Sequence, residues 1–267
     1  MNNELLKIEN LCFSYDKNIF NLNNISFLIN KKDFVSVIGR NGSGKSTLIK
    51  LLSGIYRKEN GKIFLSGKDI DTFLKKELSK SISYLPQSAL TDYDGLKVFD
   101  LLLLGRYAYK DFFDFRNTEE DKKIVEASVK MTGIDDFKYK YLNKLSGGEK
   151  QKVLITLALV QLNINSDLSE KVLIIDEPVT FLDVNFQLEL FSILTKLNTE
   201  KNLTIIVVMH DLNLAIKYSN KTILMESGNI INYGETKEVI TEETLKKYFL
   251  INSSILQFEN GHQILMN

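Results

Sequence analysis

The chain has 267 residues, of which 44% are hydrophobic, so it is long enough and apolar enough to form a large folded core. Lysine plus arginine and aspartate plus glutamate each number 34, giving a formal net charge of zero, which argues against the basic surface that nucleic-acid binding requires. The single cysteine excludes an internal disulfide framework and a cysteine-based metal cage.

Neither a secretion signal nor a membrane span is predicted. Residues 1–10 are polar and of mixed charge, without the basic start and apolar stretch of a signal peptide. The longest apolar runs, such as residues 205–209, are far shorter than the roughly 20 residues that cross a bilayer. We therefore expect any role at a membrane to depend on a partner.

Strand patterns dominate the first 90 residues. Short runs bounded by turn residues predict strands over residues 5–8, 25–29, 34–38, 62–65 and 81–85. The strand over residues 34–38 runs directly into a glycine-rich stretch. Residues 46–52 then have helical spacing and end at Ser53 and Gly54, a C-terminal cap.

Helix signals replace strand signals between about residues 91 and 141, which predicts an inserted helical lobe. Thr118 and Asp121 form a capping-box pattern, and Gly133 ends the amphipathic stretch that follows. The apolar positions predicted to share one face of that helix are Ile124, Ala127 and Met131.

Strands and helices alternate again after the lobe. Residues 172–175 and 203–209 are continuous apolar runs rich in β-branched residues, typical of strands buried on both faces of a parallel sheet. Residues 223–226 and 230–233 flank a Ser-Gly-Asn turn. The pair Asn260-Gly261 predicts a hairpin near the end of the chain.

The sharpest local motif is a glycine-rich loop between a predicted strand and a predicted helix. It satisfies the pattern G-x-x-x-x-G-K-[ST] and consists of Gly39, Arg40, Asn41, Gly42, Ser43, Gly44, Lys45, Ser46 and Thr47. Backbone amides and the helix start would enclose a β-phosphate, Lys45 would reach the β and γ oxygens, and Ser46 would bind Mg²⁺. A dinucleotide site is disfavoured because the spacing does not fit G-x-G-x-x-G.

Two adjacent carboxylates follow the buried strand over residues 172–175. Adjacent residues of a strand point in opposite directions, so one carboxylate can face a magnesium ion while the other faces the γ-phosphate. We predict Asp176 as the metal-shell residue and Glu177 as the base that activates water. A loop that merely begins with two acidic residues is the alternative, which the phosphate loop makes less plausible.

A third motif resembles the signature sequence of ATP-binding-cassette (ABC) proteins and consists of Leu145, Ser146, Gly147, Gly148, Glu149, Lys150 and Gln151. Ser146 and Glu149 form a capping box, and the two glycines leave helix amides open to an anion. In that family the element binds the γ-phosphate held by the opposite subunit. The resemblance therefore implies a head-to-tail homodimer with two shared ATP sites.

Other positions match the same family in order. Tyr15 lies where the family has its adenine-stacking aromatic, with Phe13 as a rival. Gln87 resembles the glutamine that touches Mg²⁺ and the attacking water while sensing the permease. Asp183 belongs to residues 180–183, a segment that resembles the family's loop across the dimer interface. His210 resembles the switch histidine that contacts the γ-phosphate.

The resemblance implies an α/β fold for the whole chain, residues 1–267. Its core would be a phosphate-loop NTPase (RecA-like) domain with a mostly parallel sheet and an N-terminal antiparallel β-subdomain, over about residues 1–90 and 142–267. The inserted α-helical lobe would cover about residues 91–141.

Softer features narrow the resemblance to the ATPase subunits of importers for iron-siderophore complexes, haem and cobalamin. They are the segments 98–107, 210–215 and 236–250. This implies two integral membrane permease subunits, an extracytoplasmic solute-binding protein as an indirect partner, and a peripheral location at the cytoplasmic face of the cell membrane. No nucleic acid is expected as a partner.

Some positions depart from the family pattern, and other functions stay open. Phe181 replaces a small or polar residue of the interface loop, Val179 replaces a common threonine, and Leu157 stands where arginine is frequent. Residues 163–170 are predicted as an inserted surface loop. A soluble cassette ATPase for cofactor assembly is the alternative function, whereas a small-molecule kinase would leave Gln87 without a role.

Overall fold

The computed structural model describes residues 3–15, 21–87, 95–110, 116–179, 183–258 and 261–266. The strands are β1 (Glu4–Ser14), β2 (Asn21–Asn30), β3 (Phe34–Ile38), β4 (Asn60–Leu65), β5 (Lys68–Asp69), β6 (Ile82–Leu85), β7 (Val172–Asp176), β8 (Thr204–Val208), β9 (Lys221–Glu226), β10 (Asn229–Glu235), β11 (Ser253–Phe258) and β12 (Gly261–Met266).

The helices are α1 (Lys45–Leu52), α2 (Lys75–Ser81), α3 (Val98–Leu104), α4 (Glu119–Thr132), α5 (Gly147–Leu162), α6 (Val184–Lys201) and α7 (Leu212–Tyr218). Single helical turns occur at Ile70–Thr72, Tyr107–Tyr109, Asp135–Phe137, Leu142–Lys144, Thr236–Val239, Glu242–Thr244 and Leu245–Phe249. None of the helices in the described part of the chain combines the length and the apolar character needed to span a membrane.

The chain divides into two units, and the first comprises residues 1–72 and 204–267. Its N-terminal sheet is antiparallel, with strand order β2-β1-β4-β5. In its second sheet β3 lies between β8 and β9 and is parallel to both, while β10 is antiparallel to β9. Every residue of β8 is buried, which confirms the prediction of a strand covered on both faces, and every residue of β3 is buried as well.

The second unit comprises residues 73–203 and contains the parallel pair β6 and β7. Helix α5 is the central helix of this unit, because most of its side chains are buried and it packs against both α3 and α4. The parallel pairs in both units and the antiparallel N-terminal sheet agree with the fold class predicted from the sequence. The predicted boundaries of the core and the lobe stay a prediction.

Helix α4 begins at the predicted capping box, and its buried face includes polar as well as apolar residues. Thr118 accepts a hydrogen bond from the Asp121 backbone N–H, and the Asp121 side chain accepts one from the Thr118 backbone N–H. Of the three apolar positions predicted to share one face, Ile124 is buried, while Ala127 and Met131 are half-buried. The buried positions are Asp121, Ile124, Val125, Ser128, Val129 and Thr132.

Polar residues occupy that buried face because their hydrogen bonds are satisfied there. The Ser128 hydroxyl donates to the Ile124 carbonyl at 2.9 Å, and Thr132 pairs with Thr156 of α5 at 2.7 Å. A hydroxyl paired in this way can be buried without the penalty of an unsatisfied group. Such a face cannot be recognised from the spacing of apolar residues alone.

The C-terminal hairpin forms as predicted. Strands β11 and β12 pair in antiparallel register with Ile255 opposite Ile264, and Gly261 opens β12, whereas Asn260 lies outside the described residues. The Asn213 side chain in α7 accepts a hydrogen bond of 2.7 Å from the Ile264 backbone N–H. The hairpin is therefore fixed to the first unit through α7.

The polar stretch after α5 is anchored rather than wholly on the surface. Ile164 and Leu168 are 3% and 1% exposed, respectively, so two apolar side chains hold residues 163–170 against the second unit. The Lys171 ammonium donates to the Leu162 carbonyl and, at 2.6 Å, to Ser166 Oγ. Burial lowers the pKa of Lys171 to about 8.

Candidate functional site

The glycine-rich loop connects β3 to α1 in the first unit, and its backbone requires glycine at defined points. Gly44 has φ 104 and precedes α1 without any side-chain cap, so the first amides of the helix have no capping side chain. Gly39 has φ 148, and a Cβ atom there would lie 2.3 Å from the Met225 carbonyl oxygen. The loop thus presents backbone N–H groups and the positive end of a helix dipole together.

Lys45 lies inside this loop and is 5% exposed. Its ammonium donates to the Gly39 carbonyl at 2.8 Å and to the Arg40 carbonyl at 3.2 Å. These bonds hold the loop curled around the lysine. A phosphate at the mouth of the loop would therefore meet a cation that is already in place.

A buried hydroxyl supports an anionic ligand at the loop. Ser43 Oγ is buried and has no hydrogen-bond partner among the described residues. An unsatisfied buried donor is costly, and a phosphate oxygen can accept from it. The donors of this loop therefore fit a nucleotide phosphate, with Ser46 and Thr47 following in the first turn of α1.

Three aromatic rings cluster beside the start of α1. Tyr15 meets Phe13 and Tyr56 edge-on at centroid distances of 5.0 Å and 5.7 Å, while Phe13 and Tyr56 stack at 5.5 Å. The Tyr15 hydroxyl lies 3.2 Å from Thr47 Oγ1, which connects the cluster to the glycine loop. Tyr15 is 48% exposed, so part of its ring is open to a base.

The pKa values of the two tyrosines in this cluster move in opposite directions. Burial raises the pKa of the Tyr15 phenol, whereas hydrogen bonding to Tyr15 lowers the pKa of Tyr56. Tyr15 and its rival Phe13 are thus joined by a third ring, Tyr56, which was not predicted. Tyr56 carried no sequence signal, because it follows α1 and joins the cluster only through the fold.

A cleft of about 520 Å³ brings the glycine loop and His210 together in the first unit. Its lining residues are Gly39, Arg40, Asn41, Gly42, Ser43, His210, Met225, Glu226, Ser227, Tyr248 and Phe249. His210 is exposed and lies just beyond the carboxyl end of β8. Asp211 follows and caps α7, accepting from the backbone N–H groups of Asn213 and Leu214.

The two carboxylates of the second unit leave β7 in different environments. Asp176 is the last residue of β7 and is 6% exposed, while Glu177 follows the strand and is half-buried. Glu177 has φ 49, a left-handed backbone that costs a non-glycine residue about 1–3 kcal/mol. Such strain persists where the surrounding structure requires one side-chain direction.

Each carboxylate receives a hydrogen bond from β6 or from the residues just after it. The Gln87 side-chain amide donates to Glu177 Oε2 at 2.7 Å, and the Tyr84 hydroxyl donates to Asp176 Oδ2 at 3.4 Å. The parallel register of β6 and β7 places Tyr84 opposite Ile174 and brings both strand ends to one edge. The contact from Tyr84 was not predicted from the sequence.

The signature-like motif forms the N-terminus of α5, as its capping pattern predicts. Ser146 Oγ accepts from the Glu149 backbone N–H at 3.2 Å, and the Glu149 carboxylate accepts from the Ser146 backbone N–H at 2.8 Å. That backbone hydrogen bond lowers the pKa of Glu149. The capping box engages the amides of Ser146 and Glu149, and Gly147 and Gly148 have no side chains to cover the two amides between them.

Asp183 caps α6 in the same unit, where its side chain accepts from the Phe186 backbone N–H at 3.1 Å. Phe181, one of the departures from the family pattern, lies outside the described residues. Leu157 lies against α3, since a Cβ atom added at Gly105 would be 3.1 Å from its side chain. Val179 is half-buried.

The structure therefore groups the candidate residues within each unit. The first unit holds the glycine loop, Tyr15 and His210, and the second holds Gln87, Asp176, Glu177, the Ser146–Glu149 turn and Asp183. The assignment of these residues to catalysis and binding stays a prediction.

Comparison with known proteins identifies the family. Residues 22–180 match the ABC transporter family. The chain is 34% identical to the iron(3+)-hydroxamate import ATP-binding protein FhuC of Bacillus subtilis, covering 94% of this chain and 90% of that protein. It is 33% identical to the ferric enterobactin transport ATP-binding protein FepC of Escherichia coli, covering 94% of this chain and 89% of that one.

A solved structure extends the likeness to the fold. A chain of an inward-facing ABC transporter described as of the metal-chelate type superposes with a TM-score of 0.83 and 28% sequence identity. The superposition covers 99% of this chain and 97% of the other. This agrees with the family and the fold class indicated by the sequence.

Proposed function

The chain belongs to the ABC transporter family, and we propose that it is the ATP-binding and ATP-hydrolysing subunit of an importer for a metal chelate, with an iron-siderophore complex as the cargo. The observation that carries this proposal is the glycine loop, in which the Lys45 ammonium is buried and the Ser43 hydroxyl has no hydrogen-bond partner within the described part of the chain. The names of FhuC and FepC support the cargo class. Haem and cobalamin are the alternative cargoes.

The residues of the chain divide the work of hydrolysis. Lys45 and the amides of the glycine loop bind and orient the phosphates, Tyr15 holds the adenine, and Glu177 accepts the proton of the attacking water. His210 donates to the terminal phosphate from the cleft that it shares with the loop. Lys45 is held by its hydrogen bond to the Gly39 carbonyl and Glu177 by its hydrogen bond from Gln87, which supports the roles of these two residues.

Magnesium is assigned to the hydroxyl of Ser46, the side-chain oxygen of Gln87 and the carboxylate of Asp176. These are oxygen donors, the ligands that Mg²⁺ prefers, and Asp176 supplies the negative charge. Bound there, the ion would neutralise charge that develops on the transferred phosphoryl group. Gln87 is bonded to Glu177 in this structure, so its amide must turn for its oxygen to take this role.

The working form is a head-to-tail homodimer in which the Ser146–Gly148 turn of one copy completes the phosphate site of the other. The first turn of α5 supports this, because the Ser146–Glu149 box engages the amides of those two residues and leaves the Gly147 and Gly148 amides for an anion. The dimer would bind two integral membrane permease subunits at the cytoplasmic face of the membrane. An extracytoplasmic solute-binding protein would deliver the cargo to them.

Uptake in cells tests the function. A host lacking this gene should lose accumulation of radiolabelled ferric hydroxamate, and the parent chain should restore it. Glu177→Gln should not restore it, whereas Glu200→Gln, an exposed carboxylate far along α6, should. Unchanged uptake of iron-siderophore, haem and cobalamin in the deletion strain, together with purification of the chain free of any polytopic membrane protein, would favour the soluble cofactor-assembly ATPase instead.

A further inference from the structure

The second glycine of the signature-like turn lies directly against an aromatic ring of the next helix. A Cβ atom built at Gly148 would lie 2.4 Å, 2.5 Å and 2.7 Å from Cδ1, Cγ and Cε1 of Phe186. Real Cβ contacts are never this short, and the ring atoms belong to a rigid plane. A methyl group at position 148 can therefore be accommodated only if Phe186 moves.

Backbone conformation is not the reason for glycine at this position. Gly148 lies in the first turn of α5 and is absent from the described glycines that have positive φ. An alanine would fit the helical backbone and would stabilise it, since glycine costs a helix roughly 1 kcal/mol relative to alanine. The steric contact with Phe186 thus explains the glycine.

Phe186 occupies a socket on α5 between two positions one turn apart. Gly148 lies beneath the ring, and the ammonium of Lys152 lies 5.4 Å from the ring centroid. Lys152 is in turn bonded to Glu189 at 2.5 Å, one turn along α6 from Phe186. Residues four apart on a helix share a face. The missing side chain of Gly148 therefore leaves space for the ring, and Lys152 borders that space on the same face of α5.

Phe186 also holds the residue predicted to cross the dimer interface. Its backbone N–H donates to Asp183 at 3.1 Å and so closes the cap of α6. One residue therefore contacts Gly148 through its ring and Asp183 through its backbone. The starts of α5 and α6 are mechanically linked at this point.

We propose that Phe186 is a positioning residue that sets the Ser146–Gly148 turn and Asp183 at a fixed spacing, so that both meet the second copy of the chain together. This rests on the proposed function, which makes these two elements the contacts across the ATP-bound dimer. Phe186 itself touches neither nucleotide nor reacting atoms. Its effect is exerted on dimer closure and not on nucleotide capture by the glycine loop.

Dimerisation with ATP and Mg²⁺ tests the proposal in a Glu177→Gln background, where hydrolysis is stalled. Sedimentation should give a dimer dissociation constant at least about tenfold weaker for Gly148→Ala, because overpacking a filled contact is destabilising. Phe186→Ala should weaken dimerisation about threefold or more, since the turn loses its support. The Gly148→Ala, Phe186→Ala double variant should dimerise more tightly than Gly148→Ala alone.

Matched controls separate positioning from general damage. Gly95→Ala adds a methyl group in open space and should behave as the parent. Phe186→Ala should bind a fluorescent ADP analogue with unchanged affinity, while Phe186→Leu, which keeps apolar bulk, should dimerise better than Phe186→Ala. A double variant as weak as Gly148→Ala alone, or a Phe186→Ala chain that dimerises like the parent, overturns the proposal.

Melting temperatures distinguish failure of this inference from failure of the proposed function. If the Glu177→Gln chain forms no dimer with ATP, the proposed dimeric ATPase is wrong. The contact itself is then judged in the monomer, where Gly148→Ala should lower the melting temperature and Phe186→Ala should cancel that added loss. If Gly148→Ala lowers the melting temperature equally with Phe186 present and with Phe186→Ala, then the ring does not explain the glycine.

Discussion

The side-chain amide of Gln87 donates a 2.7 Å hydrogen bond to the carboxylate of Glu177. The two residues follow the ends of neighbouring parallel strands, and Glu177 is held in a left-handed backbone conformation. The proposed base therefore has a defined direction and a hydrogen-bond partner. Turning the Gln87 amide toward a metal would release this carboxylate, so the two proposed roles are linked.

We predict that Glu177→Gln stalls turnover while nucleotide binding persists. General-base catalysis contributes about 10²–10⁴-fold, so the rate of phosphate release should fall by at least about a hundredfold. The change keeps the shape of the side chain and can still pair with Gln87. Steady-state ATPase assays and binding of a fluorescent ATP analogue measure the two effects, with Glu200→Gln as the control. Hydrolysis at the parent rate would show that another group is the base.

The aromatic cluster predicts how adenine is recognised. Tyr15→Ala should weaken ATP binding about tenfold, since stacking a base on an aromatic ring contributes about 1–3 kcal/mol. The affinity for tripolyphosphate, which has no base, should not change. Titration calorimetry with both ligands separates these effects. If Phe13→Leu, and not Tyr15→Ala, removes the preference for ATP, then the rival ring is the platform.

Replacing the lysine of the glycine loop is predicted to abolish nucleotide binding. Lys45→Met removes the ammonium that bonds the Gly39 and Arg40 carbonyls, so both the loop shape and the phosphate cation are lost. Binding of nucleotide should become undetectable at millimolar concentrations, whereas Lys201→Met at the end of α6 should leave it intact. Equilibrium dialysis with radiolabelled ATP measures this. Retained micromolar binding would contradict the proposed site.

A buried ion cluster predicts the acid sensitivity of the second unit. Asp121 accepts from Arg106 at 3.0 Å, from Lys110 at 2.5 Å and from the Thr118 backbone at 2.9 Å. Burial alone would raise the pKa of Asp121, but these hydrogen bonds outweigh it and hold the pKa well below its usual range. Removing one member of a buried pair costs about 3–5 kcal/mol, so Asp121→Asn should destabilise the fold by that order.

The pH dependence of that loss follows from the direction of the shift. A carboxyl whose pKa is depressed in the folded state stabilises the fold fully above its unfolded pKa of about 3.9, and this stabilisation is lost as pH falls through the folded-state pKa. In urea unfolding, the difference in the free energy of unfolding between the parent and Asp121→Asn should therefore be constant from pH 7 to 5 and should become smaller below about pH 4. Glu120→Gln, a change at an exposed neighbour, should have the same free energy of unfolding as the parent. A difference between the parent and Asp121→Asn that grows in acid would exclude this explanation.

The sequence predicted most of the fold because its strands and caps are encoded locally. The strand over residues 34–38, the capping boxes of α4 and α5, and the C-terminal hairpin each depend on a few adjacent residues, and the structure has them. The full buried face of α4 could not be predicted, because Ser128 and Thr132 are buried through hydrogen bonds that apolar periodicity does not register. Tertiary pairing decided that face.

The residues of the candidate site likewise include some that the sequence predicted and some that only the fold reveals. The glycine loop, the acid pair and the signature-like turn are contiguous motifs and could be found by pattern. Tyr56, Tyr84 and Phe186 could not, since each reaches a motif residue only through the packing of separate elements. Their residue types are common in cores, so nothing in the order of letters distinguishes them from ordinary packing residues.

The position of β3 has a consequence for how the protein is made. Both neighbours of this strand, β8 and β9, are encoded after residue 203, and the Gly228 backbone N–H that bonds the Ser43 carbonyl at 3.0 Å comes later still. At about 5–20 residues per second, a ribosome finishes the phosphate loop on the order of ten seconds before these supports emerge. A nascent chain therefore carries a complete loop motif before its neighbouring strands exist, and the loop can take the shape that binds ATP only after residues 204–228 have been made.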